Sequence, residues 1–341
     1  MAAPLGDFDR TIQPGETTMS RPSLRGRFTW HELMSTDPKA AIAFYQKIVG
    51  WKTEGWDQNP SYITWMGSRG PVGGVMALSE ESKAMGARPG WLCYIGTPDI
   101  EGTVRDAIRL GGRVAKEITS VPMVGRFAVL VDPQGAVFAV LQPETPMPAR
   151  DEAELGEFSW HELVTTDWSA AFRFYQELFG WELTDSMNMG PMGIYQMYGW
   201  SGLSLGGMYN KPADMPGPPH WLAYAVVKDS KVAADVIKKN GGTVMHGPSQ
   251  VPGGGWITIA MDPQGLEFAT HSKPAATPEK TKPVSVKARS AGKKTAKGAK
   301  KKTAKGAKKI AKRAPKPART AKRVKAAKPR KAKSGTKRKS R

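Results

Sequence analysis

The tetrapeptide Trp-His-Glu-Leu occurs twice, at residues 30–33 and 160–163, and it gathers the side chains best suited to chemistry. In an extended strand, successive side chains point to opposite faces. Trp30, Glu32 and Met34 would then share one face, as would Trp160, Glu162 and Val164, leaving His31 and His161 on the other. A glutamate on an apolar, tryptophan-walled surface can act as a general base or hydrogen-bond acceptor, because burial raises its pKa. Glu32 and Glu162 are therefore the candidate catalytic residues. The competing reading has each carboxyl accept bonds from neighbouring strands, or pair with an arginine, to lock the structure. His31 and His161 read as structural donors to a helix. Trp30, Trp160, Tyr62, Tyr195, Trp91 and Trp221 are the candidate ligand-binding residues. Such rings offer a large apolar face with one polar handle, although part of any such set serves only to fill a core. The single cysteine, Cys93, sits in the apolar run WLCYI and reads as a buried small hydrophobe.

The elements that must position these groups are written twice as well. Residues 28–51 and 158–181 match at 14 of 24 positions without a gap. The offset of 130 returns at Trp91/Trp221, Gly111-Gly112/Gly241-Gly242 and Asp132-Pro133-Gln134-Gly135/Asp262-Pro263-Gln264-Gly265. A self-match of this length means that one structural module is repeated. Within each copy a strand leads into a helix capped by Asp37 or Asp167, with apolar residues at helical spacing (Ala41, Phe44, Tyr45, Ile48; Ala171, Phe174, Tyr175, Leu178) and a stop at Gly50 or Gly180. In the first copy, strands follow near 53–57, 61–67 and 74–78. A strand around WLCYI, a helix over 100–110 and strands at 113–117, 125–131 and 136–142 complete it. Each copy is thus βαβββ written twice over.

This arrangement resembles the vicinal oxygen chelate superfamily, which includes glyoxalase I, extradiol dioxygenases and bleomycin-resistance proteins. The resemblance rests on a strand followed by Asp…Phe-Tyr…Gly-Trp, a helix ending in Gly-Gly, and the DPQG turn before the last strand. It implies an α+β fold: two tandem glyoxalase-like domains, at 27–143 and 157–272, built from paired βαβββ modules that form curved mixed sheets around a cup. A leader over 1–26, a linker over 144–156 and a tail over 273–341 flank them. Metal enzymes of the superfamily hold a divalent ion in the cup, with a glutamate from the last strand. That position falls on Ala139 and Ala269, and the first-strand position on Trp30 and Trp160, so no cofactor is expected. A one-residue slip would instead face His161 into the cup with His220 and Glu267, a two-His-one-carboxylate set suited to non-haem iron or manganese. Gly90 and Val137 exclude the same set from the first domain. A metal-dependent lyase, isomerase or dioxygenase using a divalent metal in domain 2 is therefore the alternative, and whether the protein is an enzyme stays open.

The formal charge of +21 is unevenly spread: from Lys273 onward, 29 Lys and Arg face one acid, Glu279, leaving −7 on residues 1–272. The tail, rich in Lys, Ala and Pro, repeats KKTAKGAK at 293–300 and 301–308 and has no aromatic residue. It cannot bury enough apolar surface to fold alone. It resembles the lysine-rich tails of linker histones and of histone-H1-like bacterial proteins, which implies sequence-independent binding to nucleic acid. Lys293, Lys294, Lys297, Lys300, Lys301, Lys302, Lys305, Lys308 and Lys309 are the candidate contacts. The tail has no amphipathic apolar face and the chain no apolar run of membrane-spanning length, so no membrane partner is expected. The expected location is cytoplasmic, with nucleoid association, as a monomer or a homodimer. A nucleoid protein whose folded body is only a scaffold is a further alternative.

Overall fold

The structure is a computed structural model that describes residues 24–84, 86–147 and 151–274. The expectations for the leader before residue 24 and for the tail beyond residue 274, including its candidate lysines, lie outside the described residues. Domain 1 runs β1 (Phe28–Ser35), α1 (Pro38–Ile48), β2 (Lys52–Trp56), β3 (Asn59–Gly67), β4 (Gly70–Ala77), α2 (Glu80–Ala84), β5 (Gly90–Gly96), α3 (Ile100–Arg109), β6 (Arg113–Val121), β7 (Gly125–Val131) and β8 (Val137–Pro143). Domain 2 runs β9 (Phe158–Thr165), α4 (Trp168–Phe179), β10 (Glu182–Asn188), a 3-10 turn (Gly190–Met192), β11 (Ile194–Trp200), β12 (Leu203–Asn210), β13 (His220–Val226), α5 (Ser230–Lys239), β14 (Thr243–Gln250), β15 (Trp256–Met261) and β16 (Glu267–Ser272).

Each domain is one eight-stranded mixed sheet, in the order β2-β3-β4-β1-β5-β8-β7-β6 and its counterpart β10-β11-β12-β9-β13-β16-β15-β14. The two modules of a sheet meet where β1 runs antiparallel to β5, and β9 to β13. The helices begin as their residues dictate: Asp37, Asp99, Asp167 and Asp229 each accept backbone N–H bonds as N-caps. Gly180 closes α4 in the left-handed conformation at φ 77°. The short helix α2 was not anticipated, because it buries no residue and so carries no apolar periodicity.

The hydrophobic cores do not follow the domain boundary. Ala41, Phe44, Tyr45 and Ile48 of α1 pack with Ala225, Ala233, Ile237, Ala260 and Phe268 of domain 2. Reciprocally, Ala171, Phe174, Tyr175 and Leu178 of α4 pack with Ile95, Val104, Ala128, Phe138 and Val140 of domain 1. Each core therefore joins the first module of one domain to the second module of the other. The DPQG turns fasten the same exchange. Gln264 accepts from the Ser35 hydroxyl at 2.9 Å and from the Asp37 backbone N–H at 3.0 Å. Gln134 likewise accepts from the Thr165 hydroxyl at 2.9 Å and from the Asp167 N–H at 2.6 Å. Tyr45 donates to Asp262, and Tyr175 to Asp132, each at 3.1 Å. The segments next to the domains take part too: Trp181 donates to the Gly26 carbonyl at 2.8 Å, and Trp51 to the Gly156 carbonyl at 2.7 Å. Residues 24–26 and 151–156, read from sequence as leader and linker, thus include packed parts of the body.

At the centre of this exchange His31 and His161 meet, Nε2 to Nε2, at 2.7 Å. Both are buried, and each stacks on a phenylalanine: His161 on Phe28 (3.6 Å between ring centroids) and His31 on Phe158 (3.8 Å). The histidines thus bond to each other rather than to a helix. One proton must lie between the facing nitrogens, so one ring gives up the Nδ1 hydrogen that would reach a backbone carbonyl. Each ring also has a backbone carbonyl beside it, Val72 for His31 and Leu205, 3.4 Å from Nδ1, for His161. Burial lowers the His31 pKa to about 3, and burial with the facing ring lowers that of His161 well below its usual value. Both rings are neutral in the fold and gain protons when the chain unfolds, so their contribution to stability falls as pH drops from 6.5 toward 3. Relative to an H31Q/H161Q double variant, urea unfolding between pH 4 and 6 should show extra pH dependence, with a limiting slope of about 2.7 kcal/mol per pH unit for two protons. Parallel pH profiles for the two proteins would contradict the neutral pair.

Candidate functional site

Strand register decides which side chains enter each cup. In domain 2, Trp160, Glu162 and Val164 of β9 stand opposite Tyr224, Leu222 and His220 of β13. On the other side Glu162 and Val164 stand opposite Gly207 and Tyr209 of β12, while Tyr224 faces Ala269 of β16. Cross-strand partners share a face, so these residues form one wall. In domain 1, Glu32 lies opposite Leu92 and Gly74, and Trp30 opposite Tyr94. Glu32 and Glu162 therefore face the cups beside Trp30 and Trp160, in the unslipped register.

Each glutamate sits at the end of an aromatic relay. In domain 2 the Trp160 indole N–H donates to the Tyr195 hydroxyl at 2.7 Å, and Tyr195 donates to Glu162 Oε2 at 2.9 Å. Tyr224 donates to the same oxygen at 3.2 Å, and Oε1 accepts no hydrogen bond among the described residues. A Cβ on Gly207 would lie 2.2 Å from the Tyr195 ring, so this glycine is what lets the ring lie across β12 and reach the carboxyl. Domain 1 repeats the device: Trp30 donates to Tyr62 at 2.8 Å, Tyr94 donates to Glu32 Oε1 at 3.3 Å, and Gly74 makes room for Tyr62.

The two carboxyls differ in surroundings. Burial pushes Glu162 up to about 7, against the pull of the Tyr195 and Tyr224 hydroxyls. Burial also raises Glu32, opposed by Tyr62, Tyr94 and the charge of Lys116. Domain 2 adds a pair that domain 1 lacks: His220 Nε2 lies 2.8 Å from Glu267 Oε2, and both residues are about one-third exposed. The contact is close, though imperfectly aligned for a hydrogen bond. Burial disfavours the His220 cation, yet Glu267 and the Pro218 carbonyl outweigh it and raise the pKa.

Trp91 and Trp221, expected as ligand-binding residues, are a correction. They pair with Leu33 and Leu163, one register step from the glutamates, and so lie on the helix-facing side. There each indole donates to a core tyrosine at 3.2 Å, Trp91 to Tyr45 and Trp221 to Tyr175. Tyr94 and Tyr224, opposite Trp30 and Trp160, lie on the cup face instead. The set His161, His220 and Glu267 does not assemble either, because His161 points to the domain interface while His220 and Glu267 face the cup. Leu222 stands in the row with Glu162, and Ala269 leaves a methyl at the last-strand ligand position. Among the described residues no three His, Cys, Asp or Glu side chains gather to hold a metal ion. The residues present do not fit the superfamily's metal set. Tyr209 and Lys116 escaped the sequence reading; substitution between the repeats, Lys116 against His246 at the same place, was the available signal.

Comparison with known proteins agrees with this architecture. Residues 157–270 match the Glyoxalase/Bleomycin resistance protein/Dioxygenase superfamily, and residues 31–141 match a glyoxalase-like domain. A curated relative, "Putative glyoxylase CFP32" of Mycobacterium bovis, is 30% identical over 263 residues, which cover 74% of this chain and 96% of that protein. The chain belongs to the Glyoxalase/Bleomycin resistance protein/Dioxygenase superfamily, as a tandem two-domain member. Among solved structures, homoprotocatechuate 2,3-dioxygenase of Brevibacterium fuscum in complex with 3,4-dihydroxyphenylacetate superposes at TM-score 0.54 with 15% identity, covering 75% of this chain and 83% of that one. The Mn(II)-bound glyoxalase of Novosphingobium aromaticivorans superposes at 0.50 with 16% identity, covering 74% and 83%. At these identities the likeness is one of fold.

The relay yields a direct expectation. The Tyr195 hydroxyl stabilises the charged form of Glu162, so Tyr195→Phe should raise the Glu162 pKa further from about 7. A rise on the order of one unit, read by carbon NMR of labelled glutamate carboxyls, is expected. An unchanged or lowered value would show that the hydroxyl does not donate to the carboxylate.

Proposed function

We propose that the protein binds a small, largely apolar ligand in the cup of domain 2, without a divalent metal, and that its basic tail tethers it to nucleic acid. The observation that carries the reading is Glu162, a buried carboxyl whose Oε2 is satisfied by two tyrosines while Oε1 is left to an incoming group. Trp160, Tyr195, Tyr209 and Tyr224 supply the apolar wall. A carboxyl that titrates near neutrality can also take or give a proton, so a proton-transfer reaction on the bound molecule would use Glu162 as its acid or base. Tyr195 and Tyr224 would set its pKa, and the aromatic wall would exclude water. Domain 1 repeats the arrangement with Glu32, and its cup is the second candidate.

A neutral aromatic alcohol, 2-naphthylmethanol, is a suitable probe. Saturable binding to the purified full chain is expected, weakened at least tenfold by Trp160→Ala and unchanged after dialysis against EDTA. Non-saturable binding, insensitivity to Trp160→Ala, or loss of binding with the metal would refute the reading of the cup.

The tail reading rests on charge. Residues 273–341 carry +28, and residues 1–272 carry −7, which repels phosphate. If about 8 phosphates are neutralised together, log K for duplex DNA should fall with log salt at a slope near −7. Removal of the tail should abolish binding, whereas scrambling the KKTAKGAK repeats should leave affinity nearly unchanged, because point charges read no bases. A slope near zero, or equal binding by the tail-less protein, would assign the charge to another partner.

A further inference from the structure

The two cups are built alike but balanced differently. In cup 1 the buried Glu32 has a resident cation: Lys116 acts on it and lies over the Phe127 ring, 6.0 Å from its centroid. Lys116 pairs with Val129, and the residue in the same place in domain 2 is the exposed His246, paired with Ile259. Cup 2 instead holds two carboxyls, Glu162 and Glu267, in place of one. Among the described residues the cation bearing on Glu162 is His220, and His220 is already paired with Glu267 at 2.8 Å. The other ionisable groups that interact with Glu162 among the described residues are the phenols of Tyr195, Tyr209 and Tyr224 on the cup face and of Tyr198 in the core. His271 is turned away to the Ser159 hydroxyl, 2.9 Å from its Nδ1. Charge in cup 1 is therefore compensated within the protein, whereas cup 2 has one acid in excess.

We infer that cup 2 takes a monocationic ligand, an apolar body carrying one protonated amine whose ammonium group sits against Glu162 Oε1 and the Glu267 carboxylate. Glu162 is not merely part of an acidic cluster. The residue is only 6% exposed, yet its Oε1 accepts no hydrogen bond among the described residues and is not sealed off, so it is open to a ligand on the cup face. An ammonium supplies the donors that oxygen lacks, and the faces of Trp160 and the three tyrosines add cation–π attraction in a site shielded from water. The excess acid need not be charged while the cup is empty. A carboxyl held up to about 7 by burial keeps its proton in mildly acidic solution and releases it when a cation arrives. Binding should therefore be coupled to proton release.

This inference rests on the proposed use of cup 2, and one experiment separates the two. The full chain is titrated with 2-naphthylmethylamine and with its neutral counterpart 2-naphthylmethanol, by calorimetry in two buffers of different ionisation enthalpy. The amine should bind at least tenfold more tightly than the alcohol at pH 8. At pH 6 it should release close to one proton, and at pH 8.5 almost none, so that its affinity rises with pH through neutrality. Glu162→Gln should abolish both the preference and the proton release. Should that variant unfold, the proton count of the unaltered protein still decides. Equal binding of amine and alcohol, with both weakened by Trp160→Ala, would overturn the cation and leave the apolar cup standing. Retention of the amine preference in Glu162→Gln would overturn the assignment, and binding of neither probe would remove both readings.

Discussion

Everything in the folded body depends on the exchange of helices between the two domains. An eight-stranded sheet with helices on one face must bury that face, and here each sheet does so against elements of the other. The first helix of domain 1 lies on the second module of domain 2, and the reverse holds for α4. Neither domain owns a complete core, so the repeat is not two beads on a string. The buried His31–His161 contact stands where the two halves of the exchange meet. It tolerates no charge in its apolar surroundings, which ties the closeness of the domains to the neutral state of two imidazoles.

Strand alternation then divides the labour. In β1 and β9 the same four residues serve two surfaces: the histidine and leucine face the shared core, while the tryptophan and glutamate face the cup. A one-residue shift would bury the glutamate between the domains and expose the histidine to the cup. Register is therefore both the structural and the chemical constraint on this segment. The glycine pairs beside it follow from the same demand. Gly73 and Gly206 leave room for the carbonyls of His31 and His161, and Gly74 and Gly207 leave room for Tyr62 and Tyr195.

Much of this was legible in the sequence because the controlling signals are local. The Asp caps, the helical spacing of Phe44, Tyr45 and Ile48, and the alternation in FTWHELMS are read within a few residues. The cup placement of Glu32 and Glu162 followed from that alternation together with the strand register that the superfamily resemblance implied. What could not be read were partnerships between residues far apart in the chain. Gln134 and Gln264 look like turn residues, yet they bind helix starts about 33 and 228 residues away. Trp91 and Trp221 were misplaced for a related reason: one step of register on β5 or β13 decides between cup and core, and WLCYI and WLAYA are apolar on both faces. A strand buried on both sides has no polar alternation to mark its orientation.

The duplicated glutamate also shows how a repeated domain can come to differ in the charges around one site without changing its fold. Glu32 and Glu162 occupy equivalent places with equivalent tyrosine donors, so the backbone does not distinguish them. The difference lies one and two strands away, where Gly90 and Val137 of domain 1 become His220 and Glu267, and at the far edge, where Lys116 becomes His246. None of these substitutions touches the shared cores, so they could vary without cost to the interface on which stability depends. Cup 1 keeps a counter-charge in Lys116, although burial still holds the Glu32 carboxyl above its usual range. Cup 2 holds the same carboxyl near neutrality, with one oxygen unclaimed, and that is the state in which a small change of partner decides whether the proton stays.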